Sequence, residues 1–423
     1  MYIPALLLFY LVVPFLIIYI TQKYPLVNKL GAVAIAYGLG MILGSIGFFP
    51  VASEAYLSIL GSDKFLDPEQ ANQLLETGKI TAGDLTKNKI STLQSNINDI
   101  SVAIAIPLLL FSLDLRKWFK MAGKAFLSVV LALISVVIVM FTGFFIFKGK
   151  IEDIGDVSGM LIGIYSGGTP NLAAIASALE VDPNIFIVTN VYDMIVGAFC
   201  LLFLLTIAQK VFLLFLPAYK SSEADVKIDT SRETSEIDDY RGMFNKDAFI
   251  DILKGVGLSA LILGISFLFS SLVPKEYSST VIILSITSLG LVFSLIPAVN
   301  RLKKTFQAGM YLIVIFCFVI ASMADVTSLF KIEYFNLFLY VVYVVFGSLA
   351  LHVLLSMFFK IDADTVIITS TAMVYSPPFV PAVAGALKNK DVIISGVTAG
   401  MFGYVIGNFL GVFTGNFLAG LLT

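Results

Sequence analysis

Long apolar segments separated by short polar ones run through the whole chain. Most are about 20 residues long, which as a helix is enough to cross a hydrocarbon core about 30 Å thick. They fall at residues 3–21, 29–49, 92–113, 122–147, 156–180, 184–216, 249–272, 278–299, 306–324, 333–358, 363–387 and 391–422. This pattern predicts an all-α polytopic membrane protein, with residues 3–21 as a retained first span rather than a removable signal.

Glycine or proline interrupts the fifth segment of each half. The first break is Tyr165-Ser-Gly-Gly-Thr-Pro-Asn171 and the second is Tyr375-Ser-Pro-Pro378, and a run of small residues follows each. The breaks lie about 209 residues apart, and six segments come in the same order in each half. We therefore predict a first repeat at 1–216 and a second at 249–423. A polar cytoplasmic linker at 217–248 joins them, and residues 53–95 form either an extramembrane cap or a loop.

Composition narrows the class of protein further. The 423 residues are 58% hydrophobic and 13% charged, with a mean hydropathy of +0.95, against about 45–50% apolar and about 25% charged in soluble domains. A water-soluble fold is excluded, and 27 basic against 29 acidic residues leave no basic surface for nucleic acid. The chain has one histidine, and its two cysteines lie in apolar segments, which argues against a metal or haem cofactor. It has no phosphate-binding or hydrolase motif, which argues against ATP-driven transport and against an enzyme.

Lysine and arginine near the ends of the segments predict orientation. The basic clusters are Lys23/Lys29, Arg116/Lys117/Lys120/Lys124, Lys210/Lys220 and Arg301/Lys303/Lys304. All four reach the cytoplasmic side of an inner membrane if each broken segment is a re-entrant hairpin. That gives ten spans, both termini outside, and two halves with inverted topology. The alternative is that the broken helices cross the membrane, which gives 11–13 spans.

The two breaks are the predicted substrate site. Unpaired backbone groups at membrane depth cost several kcal/mol each unless protein, water or a ligand satisfies them. Thr169-Pro170 and Ser376-Pro377 are typical of helix starts, with the hydroxyl as cap and proline in the first turn, and the positive end of a helix favours an anion. The alternative is a pair of kinks in packed helices. The predicted substrate-binding residues are Ser166, Gly167, Gly168, Thr169, Asn171, Ser376, Pro377 and Pro378.

Ionisable residues within spans are rare and usually functional. Asp193 lies near the middle of the sixth segment and is the first candidate for Na⁺ or H⁺; the alternative is a carboxylate hydrogen-bonded between helices. Asp99 lies nearer the end of a span. Asn190, Asn408 and Thr398 complete the predicted polar lining.

With its broken segments and duplicated halves, the chain resembles the cation:proton antiporter/anion transporter superfamily. The stretch Tyr165-Ser-Gly-Gly-Thr-Pro-Asn-Leu-Ala-Ala and the six-segment layout resemble the YjcL-like family of bacterial membrane proteins, and glutamate:sodium symporters and 2-hydroxycarboxylate transporters are similar. The resemblance implies an elevator-like or rocking transporter, often a homodimer, driven by Na⁺ or H⁺. Pro377-Pro378 departs from the Gly-rich pattern, which puts a ligand role for Ser376 in doubt.

We therefore expect a secondary transporter, coupled to Na⁺ or H⁺, for a small organic anion or amino acid. A Na⁺/H⁺ antiporter without an organic substrate is the alternative. A membrane-embedded sensor or enzyme is the third hypothesis, although the chain shows no catalytic constellation or signalling domain.

Overall fold

The computed structural model describes residues 2–24, 27, 31–60, 65–112, 123–219, 240–275, 278–323, 334–389 and 391–422, apart from the side chains of Tyr2, Pro378, Pro381 and Ala382. Helices are the only regular elements in these ranges. Most of the predicted linker lies outside the described residues, as do Lys29, Arg116, Lys117, Lys120 and Lys220 of the basic clusters.

The helices of the first half include both short and membrane-length elements. They are α1 (Tyr2–Lys23), α2 (Ala32–Ser45), α3 (Glu54–Leu60), α4 (Pro68–Glu76), α5 (Ala82–Phe111), α6 (Gly123–Phe147), α7 (Ile154–Gly167), α8 (Thr169–Ala178), α9 (Pro183–Thr206) and α10 (Ala208–Phe212). Those of the second half are α11 (Lys246–Ser270), α12 (Ser278–Ser294), α13 (Pro297–Asn300), α14 (Thr305–Met323), α15 (Phe335–Phe358), α16 (Ala363–Tyr375), a 3-10 turn (Pro377–Phe379), α17 (Val380–Leu387) and α18 (Ile393–Ala419).

Eight of these helices are long and apolar enough to cross a membrane: α1, α5, α6, α9, α11, α14, α15 and α18. Two further apolar helices, α2 and α12, have 14 and 17 residues. Side chains such as Leu8, Leu268 and Phe199 are exposed on the long helices, as expected where lipid surrounds a protein. The chain is therefore a polytopic all-α membrane protein. In each half the fifth predicted segment is divided in two, into α7 and α8 and into α16 and α17.

Two compact units divide the chain. The first comprises Met1–Val102, Asp182–Ile187 and Tyr311–Lys331. Its interior contains a polar cluster in which the Tyr10 hydroxyl and Ser322 Oγ are 2.8 Å apart, and Gln94 Nε2 donates to both hydroxyl oxygens. Phe186 packs edge-on against Phe316 in the same unit.

The polar segment predicted as a cap or a loop is folded. Its helices α3 and α4 enclose a small apolar core of Tyr56, Leu66, Ala71 and Ile80. The Asp84 carboxylate accepts bonds from the backbone and side chains of Ser53 and Thr81 at 2.7–2.9 Å. These bonds hold the polar first turns of α5, so the helix begins at Ala82, whereas the hydrophobic pattern placed the third segment at 92–113.

The second unit comprises Ala103–Val181, Val188–Met310 and Ile332–Thr423. Within it α6 and α15 pack closely, because Gly347 leaves room for Val139 and because the Tyr340 hydroxyl donates to the Met140 carbonyl at 3.3 Å. Both broken segments and the whole of α18 belong to this unit, so its packing determines the geometry at the breaks.

Candidate functional site

The first broken segment is a hairpin, which we call hairpin 1 (α7, Gly168 and α8). A Cβ built on Gly163 would meet Ile175 Cδ1 and lie 3.4 Å from the carbonyl carbon of Asn171. Residues 163 and 175 would be about 18 Å apart on one straight helix. The two arms therefore fold back on each other, as the hairpin interpretation predicts.

The second broken segment, hairpin 2 (α16, the 3-10 turn and α17), folds back in the same way. A Cβ on Gly396 of α18 would meet both Ile368 Cγ2 in the first arm and Val380 Cγ1 in the second. Along a single straight helix these two residues would also be about 18 Å apart. The interpretation with crossing broken helices is therefore wrong for both segments.

The breaks share one unusual backbone conformation. Gly168 has φ 81° and ψ −163°, and Ser376 has φ 73° and ψ 162°. This region is almost exclusive to glycine and costs any other residue about 1–3 kcal/mol. A serine held there at the second break indicates that the surrounding packing imposes the same tip geometry on both hairpins.

The two tips meet. A Cβ on Gly168 would collide with Ser376 Oγ and lie 3.3 Å from Ser376 Cβ. Ser376 Oγ donates a long hydrogen bond, 3.5 Å, to the carbonyl oxygen of Gly167. Ser166 and Asn171 are buried, with exposures of 0% and 2%, whereas Thr169 and Ser376 are half-buried at the tips. Seven of the eight predicted substrate residues thus lie on two tips in contact; the side chain of the eighth, Pro378, is outside the described part of the chain.

Helix α18 forms a close wall beside the tips. Asn171 Nδ2 donates to the Gly403 carbonyl at 3.0 Å, and a Cβ on Gly403 would lie 2.8 Å from the Ser166 carbonyl carbon. A Cβ on Gly407 would meet the side chains of Ser166 and Asn171. Such small residues allow close helix packing in membranes. Glycines recur at four-residue spacing on both helices, at 155, 159, 163 and 167 and at 403, 407, 411 and 415. This signal is present in the sequence, but the predicted site included only Gly167 from it.

The predicted capping at the first break is wrong. Gly168, not Thr169, is the N-cap of α8, and Pro170 lies in the first turn. The Gly168 carbonyl accepts from the N–H groups of Asn171 and Leu172 at 3.1 and 3.2 Å, which starts the helix one residue earlier than predicted. Ser376 does precede the 3-10 turn as its N-cap, but its hydroxyl makes no capping bond. Neither hydroxyl caps its helix, and that of Ser376 bonds instead to the Gly167 carbonyl and to the Tyr404 side chain.

Asp193 lies beside hairpin 1. The Tyr165 hydroxyl donates to Asp193 Oδ1 at 2.6 Å, and the Tyr375 hydroxyl donates to the Gly197 carbonyl at 2.8 Å, one turn further along α9. Tyr375 is the last residue of its first arm and Tyr165 lies two residues before the end of its own, so both hairpins are bonded to the same face of α9 near their tips. The Tyr-Ser pair that opens both breaks could have indicated these two residues.

The other predicted ion-binding residues are not brought together. Asn190 precedes Asp193 by one turn and is buried, with Nδ2 3.4 Å from Met194 Sδ. Asn408 Nδ2 donates to Thr287 Oγ1 at 3.2 Å, and its Oδ1 is buried without a partner. Thr398 lies about 15 Å from Asn408 along α18, so the two cannot line one ion site. Asp99 belongs to the first unit and is exposed. Within the described ranges no cluster of His, Cys, Asp and Glu could hold a metal ion.

In the part of the chain that the structure describes, there are eight membrane-length helices, two shorter apolar helices and two hairpins whose tips meet. These elements define the class, a polytopic membrane protein with paired re-entrant segments. Residues 77–421 match the family described as "Protein of unknown function (DUF819)", and the chain belongs to that family. It is similar to the "Uncharacterized membrane protein YjcL" of Bacillus subtilis (strain 168), with 27% identity over 332 residues that cover 76% of this chain and 82% of that protein. The resemblance to a YjcL-like family is confirmed, and the family match spans both hairpins and Asp193.

Proposed function

We propose that the protein is a secondary active transporter that moves a small organic anion or amino acid, coupled to Na⁺ or H⁺. The observation that carries this proposal is the contact between the two hairpin tips, Gly167-Gly168 and Ser376, beside Asp193. A single isolated break would be compatible with a kinked packed helix. Two breaks with the same backbone conformation that meet at one place support a shared binding site.

The tips suit an anion. Helix α8 begins at the hairpin 1 tip, so the Thr169 N–H and the positive end of the helix dipole lie there. The 3-10 turn of hairpin 2 begins with Pro377 and Pro378, which have no N–H, so this tip contributes the Ser376 hydroxyl instead. Thr169 and Ser376 supply half-buried hydroxyls, whereas the buried Asn171 amide is bonded to the Gly403 carbonyl. A carboxylate could accept hydrogen bonds from the Thr169 N–H and from these hydroxyls, which would offset part of its lost hydration.

Asp193 suits the coupling cation. Tyr165 donates to Oδ1, and the second oxygen, Oδ2, accepts no hydrogen bond from the described residues. The carboxylate can therefore take up a proton or ligate Na⁺ through a free oxygen. Because Tyr165 lies three residues before Gly168, occupancy at Asp193 can alter the position of the hairpin 1 tip.

Gradient-driven uptake tests the proposal. The purified full-length protein, reconstituted in liposomes with an imposed Na⁺ or proton gradient, should take up at least one member of a broad panel of organic and amino acids. Asp193→Asn should abolish the gradient dependence, whereas Asp247→Asn, an exposed carboxylate in the first turn of α11, should not. No uptake of any member would refute organic anion transport.

A Na⁺/H⁺ antiporter is the second candidate, and the free oxygen of Asp193 is the observation that favours it. In that case an internal pH dye should respond to external Na⁺ alone, with no organic compound present. We also propose that the family is related to the cation:proton antiporter/anion transporter superfamily with inverted halves, because each half carries one hairpin at the same place in the helix order.

A further inference from the structure

One face of α5 is polar although it is buried. Along it lie Ser91, Gln94, Asn98 and Ser101, whose spacings of three and four residues place them on one side of the helix. Their exposed fractions are 8%, 1%, 6% and 5%, and all four belong to the first unit. Polar side chains inside a membrane protein are costly and are usually functional. Each polar group on this face therefore needs a hydrogen-bond partner or a ligand.

Neighbouring hydroxyls determine the orientation of the Gln94 amide. Ser322 Oγ donates to the Val319 carbonyl at 2.6 Å, so its proton is already used. Gln94 Nε2 donates to the Tyr10 hydroxyl at 2.8 Å and to Ser322 Oγ at 3.1 Å. The NH₂ group thus faces the two hydroxyls, and Gln94 Oε1 is buried with no hydrogen-bond partner among the described residues.

Asn98 carries a second buried oxygen of the same kind. Its Nδ2 lies 3.5 Å from Met323 Sδ, a weak acceptor, and its Oδ1 has no hydrogen-bond partner in the described part of the chain. Residues four apart on a helix have Cβ atoms about 5–6 Å apart. The amide oxygens of Gln94 and Asn98 are therefore close enough to reach one ligand.

The chemistry of the two oxygens restricts the ligand. Both are acceptors, so the ligand is either a cation or a hydrogen-bond donor. Neutral amide oxygens are hard ligands that suit alkali and alkaline-earth cations. A divalent ion usually takes carboxylate ligands as well, and the described ranges contain no cluster of His, Cys, Asp and Glu that could hold a metal ion. A monovalent cation needs less negative charge from its ligands.

We propose that Gln94 Oε1 and Asn98 Oδ1 bind an alkali cation, Na⁺ or K⁺, in the first unit. The site does not rest on the proposed function, because Asp193 and both hairpin tips belong to the second unit. Water can also donate to two carbonyl oxygens, and the experiment has to separate it from an ion.

Thermal unfolding in different salts tests the site. The full-length protein in detergent carries Asp193→Asn, which removes the proposed coupling site from the measurement. The midpoint of unfolding is measured in NaCl, KCl and choline chloride at equal ionic strength. A cation that binds the folded state alone raises the midpoint as its concentration rises. We expect Na⁺ or K⁺ to raise the midpoint above that in choline, with an effect that depends on concentration as binding to one site requires.

Variants of α5 assign the effect to the two oxygens. Asn98→Ala removes one of them and should raise the cation concentration for half-maximal binding at least about tenfold. Asn98→Asp keeps an oxygen and adds a negative charge, so it should lower that concentration. Asn96→Ala removes an exposed amide from the same helix and should leave it unchanged. If Asn98→Ala does not fold, Asn98→Asp and Asn96→Ala decide.

Two outcomes would overturn the proposal. Equal midpoints in all three salts would assign the two oxygens to water. Stabilisation by Na⁺ or K⁺ that the Asn98 variants leave unchanged would place the ion elsewhere. Neither result bears on the proposed function, which the uptake panel tests through the hairpins and Asp193.

Discussion

The two hairpins share a topology and a tip conformation but differ in how they are packed. Hairpin 1 is buried along nearly its whole length, and its first arm lies against the four regularly spaced glycines of α18. Hairpin 2 has a buried first arm, but Phe379 at its tip is 40% exposed and Gly385 in its short second arm faces open space. The same kind of break can therefore be tightly packed or loosely packed. If the protein is the transporter proposed above, we predict that hairpin 2 is the one that moves.

The largest expected effect on stability is at the glycines of α18 that contact hairpin 1. Gly403→Ala forces a methyl group against the backbone of Ser166, which cannot shift without moving hairpin 1, and should cost about 3 kcal/mol or more. Gly385→Ala in hairpin 2 meets nothing within 4 Å and should be neutral or stabilising by less than about 1 kcal/mol. Thermal unfolding and the yield of monodisperse protein measure both. Equal effects would remove the contrast between the hairpins.

The next largest effect is expected at Tyr165 and Tyr375, whose substitutions should differ in their effect on ion dependence. Tyr165→Phe removes a donor to a carboxylate, a bond worth about 1.5–3 kcal/mol, and should alter the Na⁺ or pH dependence of ligand binding. Tyr375→Phe removes a bond to a neutral carbonyl, worth about 1 kcal/mol, and should change stability without changing the ion dependence. Ligand titrations at several Na⁺ concentrations and pH values distinguish the two. An unchanged ion dependence in Tyr165→Phe would show that the bond between Tyr165 and Asp193 has no part in coupling.

Because the two tips are in contact, we predict that a substitution at one tip partly compensates for the loss of stability caused by a substitution at the other. Gly168→Ala should destabilise the protein by about 1–3 kcal/mol, because of the positive φ and the collision with Ser376 Oγ. Ser376→Gly removes that oxygen and the strain at the second break, so the double variant should recover part of the loss. A double-mutant cycle of thermal unfolding measures the coupling. If the two changes in the free energy of unfolding were strictly additive, the tips would not be in contact.

The smallest effect is expected where the hairpins are anchored. At the base of hairpin 2, the buried Asp364 accepts from Gln209 Nε2 at 2.7 Å and from Asn389 Nδ2 at 2.8 Å. In Asp364→Asn, one carboxylate oxygen that accepts a hydrogen bond becomes an amide NH₂ group that faces another donor. This should lower the free energy of unfolding by about 1–2 kcal/mol. It should also speed trypsin cleavage after the exposed Lys388. Glu180→Gln, at the exposed base of hairpin 1, should stay within about 0.5 kcal/mol. Equal cleavage rates would show that Asp364 does not secure hairpin 2.

The hydrophobic pattern was sufficient for the order of the apolar helices and for the two breaks, because apolar length and Gly/Pro interruptions are local signals. It did not predict α3 and α4, which lie in the polar segment. Contacts between distant residues were not predictable in this way. Thr398 and Asn408 share a helix and a polar character, yet their separation along α18 puts them in different surroundings. The start of α5 depends on the bonds between Asp84 and Ser53, which apolar periodicity does not register. The tyrosine contacts with α9 arise only once the hairpins fold back.

A cross-link between the tips tests the central claim most directly. Gly168→Cys with Ser376→Cys, in a chain that also carries Cys200→Ala and Cys317→Ala, places Cβ atoms close to the separation that a disulfide needs. We predict an intramolecular disulfide in native membranes, loss of organic anion binding in the oxidised protein, and recovery of binding on reduction. The claim would be contradicted if no disulfide formed in folded protein, or if the cross-linked protein bound the anion with unchanged affinity.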